Sequence, residues 1–194
     1  MKILAATNNK DKLVEIRRIL EPLGVSVVSP EEMGINIQVA ETGATFAENA
    51  LLKARAFFEA SGLPSLADDS GLCVDALDGR PGLHTAYYQG ESATYGQRIA
   101  ALVEELKDVP EGGRTARFVC HLCLVMDEET TLNCQGACEG EIGHQPKGGG
   151  GFGYDPIFYV EGKSMAERPQ EDKDYLSHRG RALREFVALL EKKI

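Results

Sequence analysis

The chain has 194 residues, with 30 acidic against 21 basic side chains, a formal charge of −9 at pH 7 and a hydrophobic content of 43%. That length suits one α/β domain, or two lobes sharing a sheet, and excludes several independent domains. The acidic balance argues against nucleic-acid or anionic-membrane binding, no apolar run reaches the roughly 18 residues of a membrane span, and MKILAATNNKDK lacks the features of a signal peptide, so the reading is a soluble intracellular protein.

Lys2 to Thr7 is a short apolar run that ends in TNNKDK, after which Leu13, Ile16, Leu20 and Leu23 recur at spacings of three and four until Gly24. The pattern predicts strand, loop and amphipathic helix. Val25 to Val28 reads as a second strand, so the chain opens as a βαβ-like unit whose first loop lies where parallel sheets present their ligands. Asn8 and Asn9 suit unusual turn conformations that would leave backbone N–H groups facing an anion, with Lys10 and Lys12 beside them.

Thr45 and Glu48 have the spacing of a capping box and open a second helix, with Phe46, Ala50, Ala54 and Phe57 or Phe58 inward, Lys53 off that stripe and Gly62 as the stop. Pro64 to Ala67 predicts a buried strand, with Asp68, Asp69, Ser70 and Gly71 at or just past its carboxyl end. Thr94 and Gln97 make another capping box for a helix carrying Ile99, Leu102, Val103 and Leu106. Ala116, Phe118, Cys120, Leu122 and Leu124 alternate as a long strand, and residues 127–131 turn it into a returning strand near Leu132 to Ile142. Pro156 to Val160 reads as a further strand, and Ala182, Leu183, Phe186, Leu189 and Leu190 place a closing helix. The sheet is therefore expected to be mixed.

Several segments carry chemistry. In GGGGFGYDPIF, Gly148 to Phe158, glycines without Cβ atoms can approach a planar, charged ligand closely, and the aromatic and acidic residues that follow suit a nucleotide. Asp68 and Asp69 read either as a solvated turn or as hard oxygen ligands for Mg²⁺ on a nucleotide's phosphates, with Glu41 as another carboxylate. TNNKDK lacks the GxxxxGK[ST] pattern of a P-loop. SHRGRAL, Ser177 to Leu183, reads either as a capped helix start with exposed basic residues or as a set of donors for a purine's carbonyl edge. Cys120, Cys123, Cys134 and Cys138 invite a zinc reading, but alternation along a strand would send positions 120 and 123 to opposite faces, which favours reduced, buried thiols.

Taken in order, TNNKDK, ETGATFAENALLKAR, LADDSGL, FGYDPIF and SHRGRAL resemble the inosine triphosphate pyrophosphatase family, the XTP/dITP diphosphatases, over nearly the whole chain. The resemblance implies a single domain over residues 1–194, an α/β fold whose elongated mixed sheet is flanked by helices and divides two lobes, with the nucleotide in a central cleft. It implies a cytoplasmic homodimer that hydrolyses ITP, dITP and XTP to the monophosphate and pyrophosphate with Mg²⁺. By motif match, Thr7, Asn8, Asn9, Lys10, Asp11 and Lys12 would hold the triphosphate with Lys53, while Glu41 and Asp69 would serve the metal. Asp69 would also accept the proton of the attacking water, and Ser70 would touch the substrate. Phe152 would stack on the base beside Gly153, Tyr154 and Asp155, and Lys173, His178 and Arg179 would select its 6-oxo edge.

Two departures from the family pattern stand out. His84, Thr85, Ala86, Tyr87 and Tyr88 occupy a stretch in which many members carry an arginine, and Asn8 stands where glycine is common. Two other readings stay open from sequence: a Maf-like pyrophosphatase for pyrimidine or modified nucleotides, and a non-catalytic nucleotide-sensing module.

Overall fold

The computed structural model describes residues 1–192. In chain order its main elements are β1 (Lys2–Ala5), α1 (Lys10–Leu20), β2 (Ser26–Val28), α2 (Phe46–Ser61), β3 (Ser65–Val74), α3 (Tyr95–Glu105), β4 (Thr115–Val125), β5 (Thr131–Ile142), β6 (Phe158–Val160), β7 (Lys163–Ser164), α4 (Gln170–Leu176) and α5 (His178–Glu191). The strands form a seven-stranded sheet in the order β2-β1-β3-β4-β5-β6-β7. β1 pairs in parallel with β2 and β3, whereas β6 pairs antiparallel with β5 and β7, so the sheet is mixed as the sequence indicated. β4 and β5 are linked by residues 126–130, too short a connection for a parallel crossover.

The chain forms two compact units, and β3, β4 and β5 each contribute residues to both. The first unit holds Met1–Asp69, Cys120–Gly136 and the stretch from His178 onward. Strand alternation builds its two apolar layers: Ile3, Ala5 and Leu66 pack with Ile16 and Leu20 of α1 and with Ala182, Leu183 and Phe186 of α5. The residues between them, Leu4, Ala6 and Ala67, pack instead with Ala50, Ala54 and Phe57 of α2. Helices therefore cover both faces of the strands in this unit, which is why those strands read as continuous apolar runs.

The second unit holds Ser70–Val119 and Ala137–Ser177. Its core joins Leu72, Val74, Ala116 and Ile142 to Ile99 and Leu102 of α3 and to Tyr154, Ile157 and Phe158. Phe118 meets Phe158 edge to face, with centroids 4.8 Å apart. Thr94 and Gln97 close a reciprocal capping box at α3. At α2 the box is shifted: Thr45 accepts the Glu48 N–H, but the Glu48 carboxylate takes the N–H of Ala44 rather than that of Thr45.

The largest difference from the sequence reading is β3. The sequence predicts an end near Ala67 with the two aspartates at or past the carboxyl end, yet the strand runs unbroken through Asp68, Asp69, Ser70 and Gly71 to Val74. Polar groups from neighbouring elements meet both carboxylates, so the strand continues where a solvated turn would otherwise be the lower-energy choice. β6 is also shorter than expected, beginning at Phe158, because the backbone of Tyr154 to Phe158 is bent by a Phe158 N–H to Tyr154 C=O hydrogen bond of 3.1 Å. α4 and β7 carry too short a pattern to be read from sequence.

Cys120 and Cys123 lie in different apolar layers, as alternation predicts, and Cys134 and Cys138 are buried thiols. Among the described residues no group of three or more His, Cys, Asp and Glu is arranged to hold a metal ion, and no helix is long and apolar enough to cross a membrane.

Candidate functional site

Within the first unit, Asp69 on β3 and Lys53 on α2 meet Glu41 from the loop before that helix. The Lys53 ammonium lies 2.6 Å from Glu41 Oε1 and 3.2 Å from Asp69 Oδ1. Lys53 can reach β3 because it stands one helical turn beyond Asn49, and both project toward the strand. Asn49, 3% exposed, donates from Nδ2 to Asp69 Oδ2 at 3.1 Å and accepts the Gly43 N–H at 2.8 Å. Burial is the main force raising the Asp69 pKa above the ordinary carboxylate value; Lys53 opposes it and the neighbouring Glu41 charge adds to it. Burial works against charge on Lys53, but Asp69, Asp68 and Glu41 outweigh it and hold that pKa above the usual lysine value.

One ammonium between two carboxylates leaves a net negative charge on hard oxygen donors. That fits a divalent cation such as Mg²⁺, which takes one or two protein carboxylates and completes its octahedron with water and phosphate oxygens. Glu41 and Asp69 are the residues that would hold it.

Asp68, one residue earlier, belongs to a different group. Its Oδ2 lies 3.0 Å from Lys12 Nζ, and it accepts from Arg179 Nη2 at 3.0 Å and Nε at 3.2 Å. Arg179 also donates through Nη1 to Glu15 Oε2 at 2.5 Å. Burial disfavours the Asp68 charge, yet Lys12 and Arg179 more than compensate and depress its pKa far below the usual range. Burial likewise opposes the Arg179 charge and is outweighed by Asp68 and Glu15, so its pKa is raised. The sequence left exposed basic residues as one reading of SHRGRAL; Arg179 is instead 2% exposed, on the first turn of α5, and His178 at the start of that helix is half-buried.

The TNNKDK loop follows β1. Neither asparagine has a positive φ, contrary to the turn geometry the sequence suggested. Asn9 is the N-cap of α1, with its Oδ1 accepting the N–H groups of Asp11 and Lys12, so those two amides are engaged by the cap. Thr7, Asn8, Asn9, Lys10 and Leu13 line a hollow of about 140 Å³ with Ser29, Pro30 and Glu31. Lys10 and Asp11 are exposed at its helix end, and Lys12 turns inward to Asp68.

In the second unit, the glycine segment folds around an ion pair between a buried lysine and a half-buried aspartate. Lys173 of α4, 4% exposed, lies 2.5 Å from Asp155 Oδ2, and the same oxygen accepts the Phe152 N–H at 3.1 Å. Gly151 has φ +72°, and a Cβ there would overlap both Asp155 Oδ2 and Lys173 Nζ. Phe152 and Gly153 are half-buried, whereas Tyr154 is buried and donates its hydroxyl to the Thr85 carbonyl at 3.0 Å. Tyr95 lies edge-on to Tyr154, with centroids 5.6 Å apart, and Arg98 stands over the Tyr95 ring. Ser70 on β3 is the first residue of this unit.

The stretch that departs from the family pattern has a structural use. Thr85 Oγ1 accepts the Leu72 N–H at 2.9 Å and donates to the Gly82 carbonyl at 2.6 Å, and Tyr88 donates to Glu105. Tyr87 is 46% exposed. Sequence reasoning missed Asn49 and Glu15, and marked Thr85 only as part of a departure from the family pattern. For Asn49 a signal existed: a polar residue directly beside Ala50 and one turn before Lys53, on a helix whose inner face is otherwise apolar.

The structure thus groups Glu41, Asn49, Lys53 and Asp69; groups Lys12, Glu15, Asp68 and Arg179; and groups Phe152, Asp155 and Lys173. Known proteins resemble this chain in sequence and in fold. Residues 3–189 match the model of the Ham1 family. The chain is 48% identical over 187 residues to a dITP/XTP pyrophosphatase of Shigella flexneri, covering 94% of each chain. It is also 48% identical over 190 residues to a dITP/XTP pyrophosphatase of Halalkalibacterium halodurans, covering 97% of this chain and 98% of the other. Among solved structures, the Staphylococcus aureus Ham1 protein superposes with a TM-score of 0.89 at 37% identity, with both chains covered in full. A HAM1 protein from Coxiella burnetii superposes with a TM-score of 0.90 at 39% identity over 99% of each chain. On sequence and on fold alike, the chain belongs to the Ham1 family.

Proposed function

We propose that this chain is a dITP/XTP pyrophosphatase, a hydrolase that splits non-standard purine nucleoside triphosphates into the monophosphate and pyrophosphate. The curated relatives carry that activity in their names across nearly the whole length of the chain. The observation that carries the residue-level reading is the trio of Glu41, Lys53 and Asp69, two carboxylates held at one ammonium beside the buried Asn49 amide.

Nucleotide pyrophosphatases generally need a divalent metal, and here we assign Mg²⁺ to Glu41 and Asp69. When bound, it supplies positive charge to the phosphoryl oxygens and lowers the pKa of a coordinated water. Asp69, oriented by Asn49 and Lys53, accepts a proton from the attacking water. Lys53 serves the developing charge on the phosphates, where a fixed cation stabilises the transition state more than the ground state. Thr7, Asn8, Asn9, Lys10, Asp11 and Lys12 serve the triphosphate, and Lys10 and Asn8 are exposed to meet it.

The base is assigned to the second unit's glycine segment, to Lys173 of α4 and to the first turn of α5. Phe152 stacks on the purine, and Gly153, Tyr154 and Asp155 complete that wall. Ser70 touches the substrate. Lys173, His178 and Arg179 set the preference for a 6-oxo edge; for Arg179 this role is exerted from a buried position beside Asp68 and Glu15. An amino group at that edge would leave donors unpaired, at about 1 to 3 kcal/mol per group. The two units act as one enzymatic domain, in a cytoplasmic homodimer.

The test is direct. Purified protein incubated with ITP, dITP or XTP and Mg²⁺ should release pyrophosphate and the monophosphate, with ATP and GTP turned over far more slowly. Release of orthophosphate, preference for pyrimidine nucleotides, or binding without turnover would each overturn the reading.

A further inference from the structure

We propose that Asn49 is a positioning residue that latches the Glu41 loop to Asp69 and so fixes the separation of the two carboxylates; this rests on the pyrophosphatase reading. Residues 36–43 form no helix or strand, so the local backbone alone does not place Glu41. Beyond Glu48, which takes the Ala44 N–H, two groups of α2 tie it down. Lys53 holds the Glu41 carboxylate itself, and Asn49 Oδ1 accepts the N–H of Gly43, two residues along, at 2.8 Å.

The same amide reaches the other side. Asn49 Nδ2 donates to Asp69 Oδ2 while Lys53 Nζ meets Asp69 Oδ1, so two donors one helical turn apart define the rotation of that carboxylate. An amide suits this place because it both accepts and donates; a carboxylate cannot donate when ionised and a lysine cannot accept. Asparagine is a weaker helix former than alanine, and buried here next to Ala50 it gives up both propensity and apolar contact. Its two bonds offset that cost.

Gly43 supports the same conclusion from the loop side. A Cβ at this position would lie 2.6 Å from Glu48 Cβ and 2.7 Å from Asn49 Oδ1, so the loop backbone approaches α2 closer than any other residue allows. The hydrogen bond and the missing side chain are two parts of one close approach. In energetic terms, the latch exchanges loop freedom for a fixed pair of carboxylates before substrate arrives.

The experiment compares Asn49→Ala, Asn49→Asp and Gly43→Ala with the wild type by steady-state kinetics with ITP and by hydrogen–deuterium exchange of the 41–44 segment. Asn49→Ala should lower kcat about 100-fold with KM changed less than about threefold, as expected for misplaced reacting groups, and should speed exchange at 41–44 while α2 stays protected. Asn49→Asp keeps an acceptor for the Gly43 N–H but loses the donor to Asp69. It should therefore lose kcat with exchange at Gly43 near the wild-type rate, and it remains informative if the alanine variant folds poorly. Gly43→Ala should reproduce the Asn49→Ala pattern. Exchange at 41–44 unchanged in Asn49→Ala would overturn the latch, whether or not the protein turns over ITP. Released exchange with kcat within about twofold of wild type would overturn the positioning role. A wild type that makes no pyrophosphate would overturn the functional reading and with it the kinetic half of the proposal.

Discussion

Asp68 and Asp69 are consecutive on β3, yet their carboxylates serve opposite layers of the first unit: Asp68 faces Lys12 and Arg179 of α1 and α5, and Asp69 faces Asn49 and Lys53 of α2. Strand alternation alone imposes this division. It gives Asp68 two cationic partners that depress its pKa, and leaves Asp69 sharing one ammonium with the Glu41 carboxylate.

Asp69→Asn is therefore expected to cost about 10² to 10⁴ in kcat for ITP, the usual contribution of a general base, while the unfolding midpoint stays close to wild type. Pyrophosphate release and thermal unfolding, measured on the same preparation, check it.

Asp68→Asn should act on stability instead. Removing one partner of a buried charge cluster costs about 3 to 5 kcal/mol, because Arg179 and Lys12 are left facing a neutral group. The sign with pH follows from the depressed folded-state pKa. The contribution of Asp68 is complete above its unfolded value near about 4, and fades as pH falls below that. Denaturant unfolding should show the wild type well ahead of Asp68→Asn at pH 7, and the gap narrowing at pH 3.

Chelation of divalent metal by EDTA should abolish pyrophosphate release without unfolding the protein. Lys53 already bridges Glu41 and Asp69, so the two carboxylates do not depend on a metal to remain folded together. Circular dichroism should be unchanged, and added Mg²⁺ should restore turnover.

The four glycines from 148 to 151 should respond unequally to alanine. At Gly151 the positive φ and the crowding by Asp155 and Lys173 predict a loss of about 1 to 3 kcal/mol and weaker ITP binding. At Gly149 an added Cβ would meet no atom within 4 Å, so the change should stay within about 0.5 kcal/mol. Unfolding midpoints and KM values for the two variants measure the contrast.

Much of the layer structure was legible in the sequence because period-two and period-3.6 patterns report burial directly. β1, α1, β2, α2, α3, the β4–β5 hairpin and α5 all carry such patterns. β3 reads short because DDSG has the composition of a turn, and only the distant partners Lys12, Arg179, Asn49 and Lys53 explain why it stays extended. The Asn9 cap escapes the sequence for a related reason: asparagine serves both left-handed turns and N-caps, and φ decides between them. Local sequence showed which residues were polar; it did not show which polar residues would meet.

The buried thiols have a practical consequence for experiments. Burial pushes Cys123 up to about 11 and Cys134 up to about 12, raises Cys120 further, and raises the half-buried Cys73 as well. At neutral pH the buried Cys120, Cys123 and Cys134 should stay silent toward maleimide reagents, which leaves the half-buried Cys73 as the native sulfur to replace by serine. A cysteine introduced at position 149, in open space, would then take a fluorophore selectively and turn the glycine segment into its own optical reporter.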